Sequence, residues 1–435
     1  MNMEELSSVK KKLSFEIPWD EVKNELDTIY RDIGKKAKIK GFRPGKIPRK
    51  VLETYFKEKA ENETINNIVN KFYWQALEEK RIVALSKPNI DQEGLKENSV
   101  FSFSASFETE PEFEPKGYKG MELEKEIFKV TENDMDNRIN ELKHMFATME
   151  EVMDDRPAVK GDFVVMDFTG NFNGELLPEL KADNFFLEIG SQRFIPGFEE
   201  QLIGMKKGKE NVIKVVFPKD YHENKFADKE VTFNVTIKNI REKKLPKFDE
   251  NFIKNFDKYD TLEDLKNDVR QSLEEESQHL SEMNLQNKIT ESLRKENEFE
   301  APPSLIERQI FYMMVDAQRR MTSAGMDERK AMELSFKMHD KFKDEAVKTV
   351  KTFLLLKKIA QKESLGLEEG DIEKHIQELA VKYGRDYELL KKTHENEENR
   401  DNLKVELIQK KVFDFIEQSA NIKVIEKKGL DAEVK

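Results

Sequence analysis

Residues Lys35–Lys50 read KKAKIKGFRPGKIPRK, and the fold of the first part of the chain turns on them. Gly41, Pro44, Gly45 and Pro48 punctuate the stretch, so a tight loop between two helices is expected. Upstream, Pro18 can occupy the first turn of a helix running to about Lys38. Downstream, Pro48 opens a second helix with Val51, Leu52, Tyr55 and Phe56 on one face. Lys35, Lys36, Lys38, Lys40, Arg43, Lys46, Arg49 and Lys50 are basic, and no acid interrupts them. The loop would carry Phe42 and Arg43 at its tip. Such a tip suits a polyanion or an acidic protein edge, because arginine pairs bidentately with phosphate or carboxylate. A solvated helix-turn-helix corner also accounts for the charge, and charge alone leaves the two readings level.

This basic run stands in an acidic chain. The formal net charge of -12 argues against the whole molecule being a nucleic-acid binder. With 435 residues and a mean hydropathy of -0.76, the chain is too polar for one large core, and several smaller units are expected. There are no cysteines, which removes disulfide and thiolate chemistry. MNMEELSSVKKKLSFEIP contains no apolar signal-type run, and no run of eighteen apolar residues occurs. A cytoplasmic protein without a membrane partner is expected.

Outward from the loop, Val9, Leu13, Phe15 and Ile17 keep strand period, as do Phe101, Phe103, Ala105 and Phe107. Glu108–Gly120 is rich in Pro and Gly and reads as a boundary; a strand (Met121–Phe128) and a helix (about Glu132–Met149) follow. From about Val159 to Arg241, short β-rich runs separated by turn residues predict an antiparallel β domain with a short helix near Phe198–Ile203. Beyond Leu245 the pattern is helical. Thr261 with Asp264 resembles a capping box opening a helix toward Lys295, and further helices are expected over Ser304–Met321, Asp327–Lys362, Glu368–Tyr383 and Asn399–Ser419. An apolar run, Ile422–Ile425, precedes a charged tail.

Gly41-Phe42-Arg43-Pro44-Gly45-Lys46-Ile47-Pro48 resembles the ribosome-docking signature Gly-Phe-Arg-x-Gly-x-x-Pro of the trigger factor family. The resemblance implies that Gly41, Phe42, Arg43, Pro44, Gly45 and Lys46 bind the large ribosomal subunit near the tunnel exit, on a ribosomal protein and ribosomal RNA. Pro44 stands where the family usually has a basic residue, which stiffens the loop and removes one contact.

A second resemblance lies in Asp167-Phe168-Thr169-Gly170, Phe194-Ile195-Pro196-Gly197-Phe198-Glu199, Phe217-Pro218 with Tyr221, and Phe233, which are similar to an FKBP-type prolyl isomerase. It implies an apolar pocket walled by Phe168, Phe185, Phe194, Ile195, Phe198, Tyr221 and Phe233, with the Ile195 N–H holding a substrate carbonyl. The segment Gly174–Glu179 departs from the family, with Leu177 in place of an aromatic. Such chemistry needs no nucleophile, metal or other cofactor. Amide rotation is opposed by a barrier of roughly 18–20 kcal/mol. A desolvated aromatic pocket favours the twisted amide, which has lost resonance and part of its dipole, over the hydrated planar one.

In the helical part, Met313, Met314, Met321, Met326, Met332 and Met338 cluster with Ile310, Phe311, Leu334 and Phe336. Methionine suits surfaces that accept many shapes, such as a cradle for unfolded chains, though taken alone the cluster reads rather as ordinary helix-packing core. The six histidines lack metal-ligand spacing, and GMKKGKE and GFRPGK lack the length and hydroxyl of a P-loop. His222, beside Tyr221, is taken as a bystander or a pocket-rim residue. Acidic stretches such as Glu274–Glu276 and Glu395–Arg400 read as solvated.

The fold class is therefore multidomain α+β. By the resemblance, residues 1–112 are expected to be an N-terminal α+β ribosome-binding domain and residues 113–150 a linker returning to the C-terminal body. Residues 151–245 are expected to be an FKBP-like antiparallel β domain with a short helix, and residues 246–435, by the same resemblance, an all-α chaperone domain with arms. The expected function is that of an ATP-independent ribosome-associated chaperone for unfolded nascent polypeptides with prolyl isomerase activity, forming a self-dimer off the ribosome. The competing readings are a free prolyl isomerase with substrate-recruiting flanks, and an RNA-binding assembly factor. The basic loop speaks against the former, the acidic balance against the latter.

Overall fold

A computed structural model describes residues 1–43, 45–172, 175–219, 221, 225–394 and 396–430. Of the residues named above, Pro44, Gly174, His222 and Glu395 lie outside the described set.

In chain order the first elements are β1 (Asn2–Ser7), β2 (Lys10–Ile17), α1 (Trp19–Lys36), α2 (Arg49–Lys80), β3 (Asn89–Gln92) and β4 (Phe101–Glu108). The strands form an antiparallel sheet in the order β1-β2-β4-β3. Alternation puts Leu13, Phe15 and Ile17 beside Phe101, Phe103 and Ala105 on one face, and the register sets Phe15 opposite Phe103 with rings stacked at 4.6 Å. Val22, Ile68, Val69, Tyr73 and Leu77 of α1 and α2 cover that face. β1 and β3 were not anticipated from the sequence. Neither has a buried apolar stripe, and both exist by pairing to a neighbour's backbone.

β5 (Glu122–Lys129), α3 (Glu132–Met145) and β6 (Thr148–Glu151) follow. The helix expected to reach Met149 stops at Met145, because residues 148–151 instead pair with residues 241–244. Next come β7 (Phe163–Phe172), β8 (Glu175–Glu188), α4 (Phe198–Leu202), β9 (Glu210–Val216) and β10 (Glu230–Lys244). They make an antiparallel sheet, β6-β10-β7-β8, with β9 also on β10. Val164, Met166 and Phe168, with Val231, Phe233, Val235 and Ile237, turn to one face, where Phe198 and Leu202 of α4 pack.

The remainder is α5 (Glu250–Ile253), α6 (Leu262–Glu296), α7 (Pro303–Ser323), α8 (Glu328–Lys337), α9 (His339–Lys362), α10 (Asp371–Tyr383), α11 (Tyr387–Thr393), α12 (Glu397–Ser419) and β11 (Asn421–Lys428), which pairs with β5. The helix expected over Asp327–Lys362 is two, divided at Met338, and α11 was not foreseen. The capping box at Thr261 forms: its N–H donates to Asp264 Oδ2 at 2.9 Å and Asp264 N–H returns a bond to Thr261 Oγ1 at 3.2 Å.

The chain divides into two compact units. One comprises residues 1–125 and 282–424. Within it Glu108 Oε2 accepts the Ser304 N–H at the start of α7, at 2.8 Å, and Leu85 packs against Ala301, Leu305, Val350 and Leu354. The other comprises residues 126–281 with those from 425 on, and holds the central sheet together with a cluster formed by Met135, Phe252, Leu265, Val269 and Leu273. Among the described residues no helix is long and apolar enough to cross a membrane. The protein is thus multidomain: an α+β N-terminal domain, a central antiparallel-sheet domain with a short helix, and a helix-rich C-terminal region.

Candidate functional site

Two sites were expected, and the first is the α1–α2 loop. Its base is held by a small core of its own, in which Ala37 and Ile47 are buried with Ile29, Tyr30, Leu52 and Ala60. The helices approach closely at Gly34, where a Cβ would lie 3.1 Å from Leu52 Cδ1. Gly34 O accepts the Gly45 N–H at 2.9 Å, Ile39 O that of Phe42 at 3.1 Å, and Arg43 O that of Lys46 at 3.0 Å. Gly41 (φ 93°) and Gly45 (φ 79°) adopt left-handed backbone, which bulky residues resist. The loop so tied leaves Phe42 40% exposed.

The basic residues divide into two sets. Lys35 pairs with Asp32 at 2.7 Å. Arg49 lies over the Tyr30 ring and reaches both Asp27 and Glu53. Lys36, Lys38, Lys40, Arg43, Lys46 and Lys50 have no ion pair among the described residues. Six cations and one exposed aromatic therefore surround a braced loop, an arrangement that can meet phosphates or a carboxylate edge.

The second site is in the central domain. Phe168 is ringed by Phe185 (5.5 Å between centroids), Phe194 (5.6 Å), Phe198 (6.1 Å) and Phe233 (5.8 Å), mostly edge to face. Phe194 and Phe198 approach to 4.4 Å, and Phe198 and Phe233 to 5.4 Å. Phe168, Phe198 and Phe233 are buried; Phe185, Phe194, Ile195 and Tyr221 are half-buried against the same core. Tyr221 joins through Phe217, its ring 4.7 Å away, and Leu177 packs on this core too. Ile195 O accepts the Phe198 N–H at 3.1 Å, while the Ile195 N–H has no acceptor among the described residues.

Two local devices shape this cluster. The β7–β8 register shifts between Met166 and Phe168, with Asn184 at φ 56°, so Phe185 turns toward Phe168. Asp167 Oδ1 accepts the Asn184 N–H at 2.7 Å and pairs with Lys238, a bond that holds its carboxyl below the usual range. At Gly170 a Cβ would stand 2.5 Å from Leu180 Cβ, so only glycine admits the packing over Phe233.

Sequence reasoning assigned no role to Glu199, the last letter of FIPGFE. It is 4% exposed and accepts from the backbone N–H groups of Gly190 (2.7 Å), Gln192 (3.1 Å), Arg193 (3.0 Å) and Phe194 (3.1 Å) and from the Ser191 hydroxyl (3.2 Å). Burial pushes its carboxyl up, but the N–H groups of Gln192, Gly190 and Phe194 outweigh burial and hold it below the usual range. The only sequence signal was an acid inside an apolar motif.

In the C-terminal region the methionine cluster splits. Ile310 and Met314 are buried, whereas Phe311, Tyr312, Met332, Leu334 and Phe336 of α7 and α8 are exposed. A mainly apolar cavity of about 510 Å³ lies between α9 and α12, lined by Phe353, Ala360, Leu365, Val405 and Ile408 among others. Among the described residues no cluster of potential metal ligands occurs.

Three family descriptions match the chain: "Bacterial trigger factor protein (TF)" over residues 1–142, "FKBP-type peptidyl-prolyl cis-trans isomerase" over residues 154–238, and "Bacterial trigger factor protein (TF) C-terminus" over residues 261–418. Among curated proteins, the chain is 49% identical to the trigger factor of Syntrophus aciditrophicus (strain SB), covering 100% of this chain and 98% of that protein. It is 35% identical to the trigger factor of Geotalea daltonii, covering 99% of each, and 36% identical to that of Geobacter sulfurreducens, covering 97% of this chain and 98% of the relative. A solved trigger factor chaperone structure overlays with a TM-score of 0.42 at 21% identity, covering 96% of this chain and 99% of that one. This chain belongs to the trigger factor family.

Proposed function

We propose that this protein works beside the tunnel exit of the large ribosomal subunit, docking there through Gly41, Phe42, Arg43, Pro44, Gly45 and Lys46. As a trigger factor it is a ribosome-associated chaperone with a peptidyl-prolyl isomerase domain. The observation that carries the docking assignment is the braced loop, which exposes Phe42 and leaves Arg43 without an ion pair among the described residues. Phe42 would enter an apolar crevice of a ribosomal protein, and the surrounding lysines would meet ribosomal RNA phosphates.

Exposed apolar side chains of α7 and α8 hold emerging segments by many weak contacts, so clients leave without ATP. Phe168, Phe185, Phe194, Ile195, Phe198, Tyr221 and Phe233 form the isomerase pocket. Residues 1–112, 113–150, 151–245 and 246–435 act as docking domain, linker, isomerase and holding domain. The protein is cytoplasmic and self-associates off the ribosome. A free isomerase with recruiting flanks is not favoured, since the trigger factor match over residues 1–142 takes in the docking loop. The test is co-sedimentation with vacant and translating ribosomes at controlled salt. Wild type should bind and a Phe42→Ala/Arg43→Ala double variant should not; equal binding by both sinks the docking assignment.

A further inference from the structure

We infer that Glu199 is a positioning residue for the isomerase reaction: its carboxylate gathers the Gly190–Phe194 loop so that Phe194 closes the aromatic pocket and the Ile195 N–H stays available to a substrate carbonyl. The inference rests on the pocket reading given above.

Each residue from Gly190 to Phe194 donates to this one side chain, four through the backbone and Ser191 through its hydroxyl. Gly190 (φ 96°) and Gln192 (φ 58°) are left-handed, and such alternation along a loop turns successive N–H groups toward one point, a concavity suited to an anion. Here the anion is built in. Glu199 has no ion pair among the described residues, so its charge is stabilised by these donors. Removing it would leave several partly buried N–H groups without partners, which forces the loop to move.

The placement couples loop to pocket. Glu199 follows Phe198, whose ring packs on Phe194 at 4.4 Å, so the same two residues of α4 hold Phe194 by its ring and by its N–H. The carboxylate's reach ends at Phe194. The next N–H, that of Ile195, is the first in the loop without an acceptor among the described residues. A donor fixed in place before substrate arrives needs no reorganisation during the reaction.

The test uses the full-length chain with Glu199→Gln, Ser191→Ala and Phe185→Ala, a proline-containing model peptide, and hydrogen exchange at the amides of Gly190, Phe194 and Ile195. An amide side chain directs an NH2 at donors that need an acceptor, so Glu199→Gln should lower kcat about tenfold or more with a smaller change in KM. Ser191→Ala, which loses one of the donors, should lower kcat only about twofold. In wild type, Gly190 and Phe194 amides should be protected and the Ile195 amide should become protected only with peptide; Glu199→Gln should abolish that gain. Near-wild-type kcat in Glu199→Gln, together with loss of activity in Phe185→Ala, overturns the role of Glu199 alone. Retained activity in Phe185→Ala overturns the pocket reading itself. Should Glu199→Gln not fold, wild-type exchange decides: a Phe194 amide as labile as that of Ile195 overturns the inference.

Discussion

The guanidinium of Arg49 lies 3.6 Å from the centroid of the Tyr30 ring, with Nη2 3.1 Å from Asp27 and Nε 2.7 Å from Glu53. By charge count Arg49 belongs to the basic stretch of residues 35–50, yet it pairs with Asp27 and Glu53 and joins α1 to α2. Arg49→Ala should therefore destabilise the N-terminal domain by about 1–2 kcal/mol, the sum of one cation–π contact and two partly exposed ion pairs. Arg43→Ala should leave stability within about 0.5 kcal/mol and weaken ribosome binding about tenfold or more. Urea melts and co-sedimentation on the two variants separate bracing from docking; reversed effects would exchange the assignments.

Asp167 governs the orientation of Phe185 through the Asn184 N–H. Asp167→Ala should relax the β7–β8 bulge and lower isomerase kcat/KM by about tenfold, while suppression of aggregation by the full-length protein stays at the wild-type level. A parallel loss of both activities would place the effect on folding instead.

Gly170 leaves no room for a methyl group over Leu180 and Phe233. Gly170→Ala should cost about 1–3 kcal/mol by overpacking and shift Phe233 from the pocket floor. Thermal unfolding gives the first effect. Isomerase assays below the transition give the second.

Two groups predict opposite pH dependences. His339 contacts Asp340 at 3.0 Å and Glu307 of α7 at 3.1 Å, and these bonds, with Asp340 the larger influence, raise its pKa above 6.5. Its contribution is complete below the unfolded value and is lost as pH rises through the folded one. Protection of amides at the α7–α9 contact, corrected for the base catalysis of intrinsic exchange, should thus fall as pH rises through the folded value, and His339→Gln should remove that fall. Asp162 behaves in the reverse sense. Burial pushes its carboxyl up, but the bond from Arg156 and the Val159 N–H hold it below 3.8. Its contribution is present above the unfolded value and is lost as pH falls through the folded one. Arg156→Ala should raise the pH at which the central domain unfolds in acid.

Local chemistry settled a good part of this protein. Prolines and glycines bounded the α1–α2 loop, two-residue alternation marked β4, and Thr261 with Asp264 announced α6, because these signals act within a few residues and need no distant partner. The order DFTG, FIPGFE and FP likewise named aromatics that the structure brings into one cluster. Tertiary structure decided the rest. β1, β3 and β6 form on a neighbour's backbone without a buried stripe of their own. Arg49 left the free basic set by reaching Asp27 of the neighbouring helix, which a charge count does not weigh. Phe185 meets Phe168 because the strand bulges at Asn184, and Glu199 is an internal anion because a loop folds around it. A side chain's type is local, but whether its charge or ring is free depends on which groups the fold brings within a few ångströms.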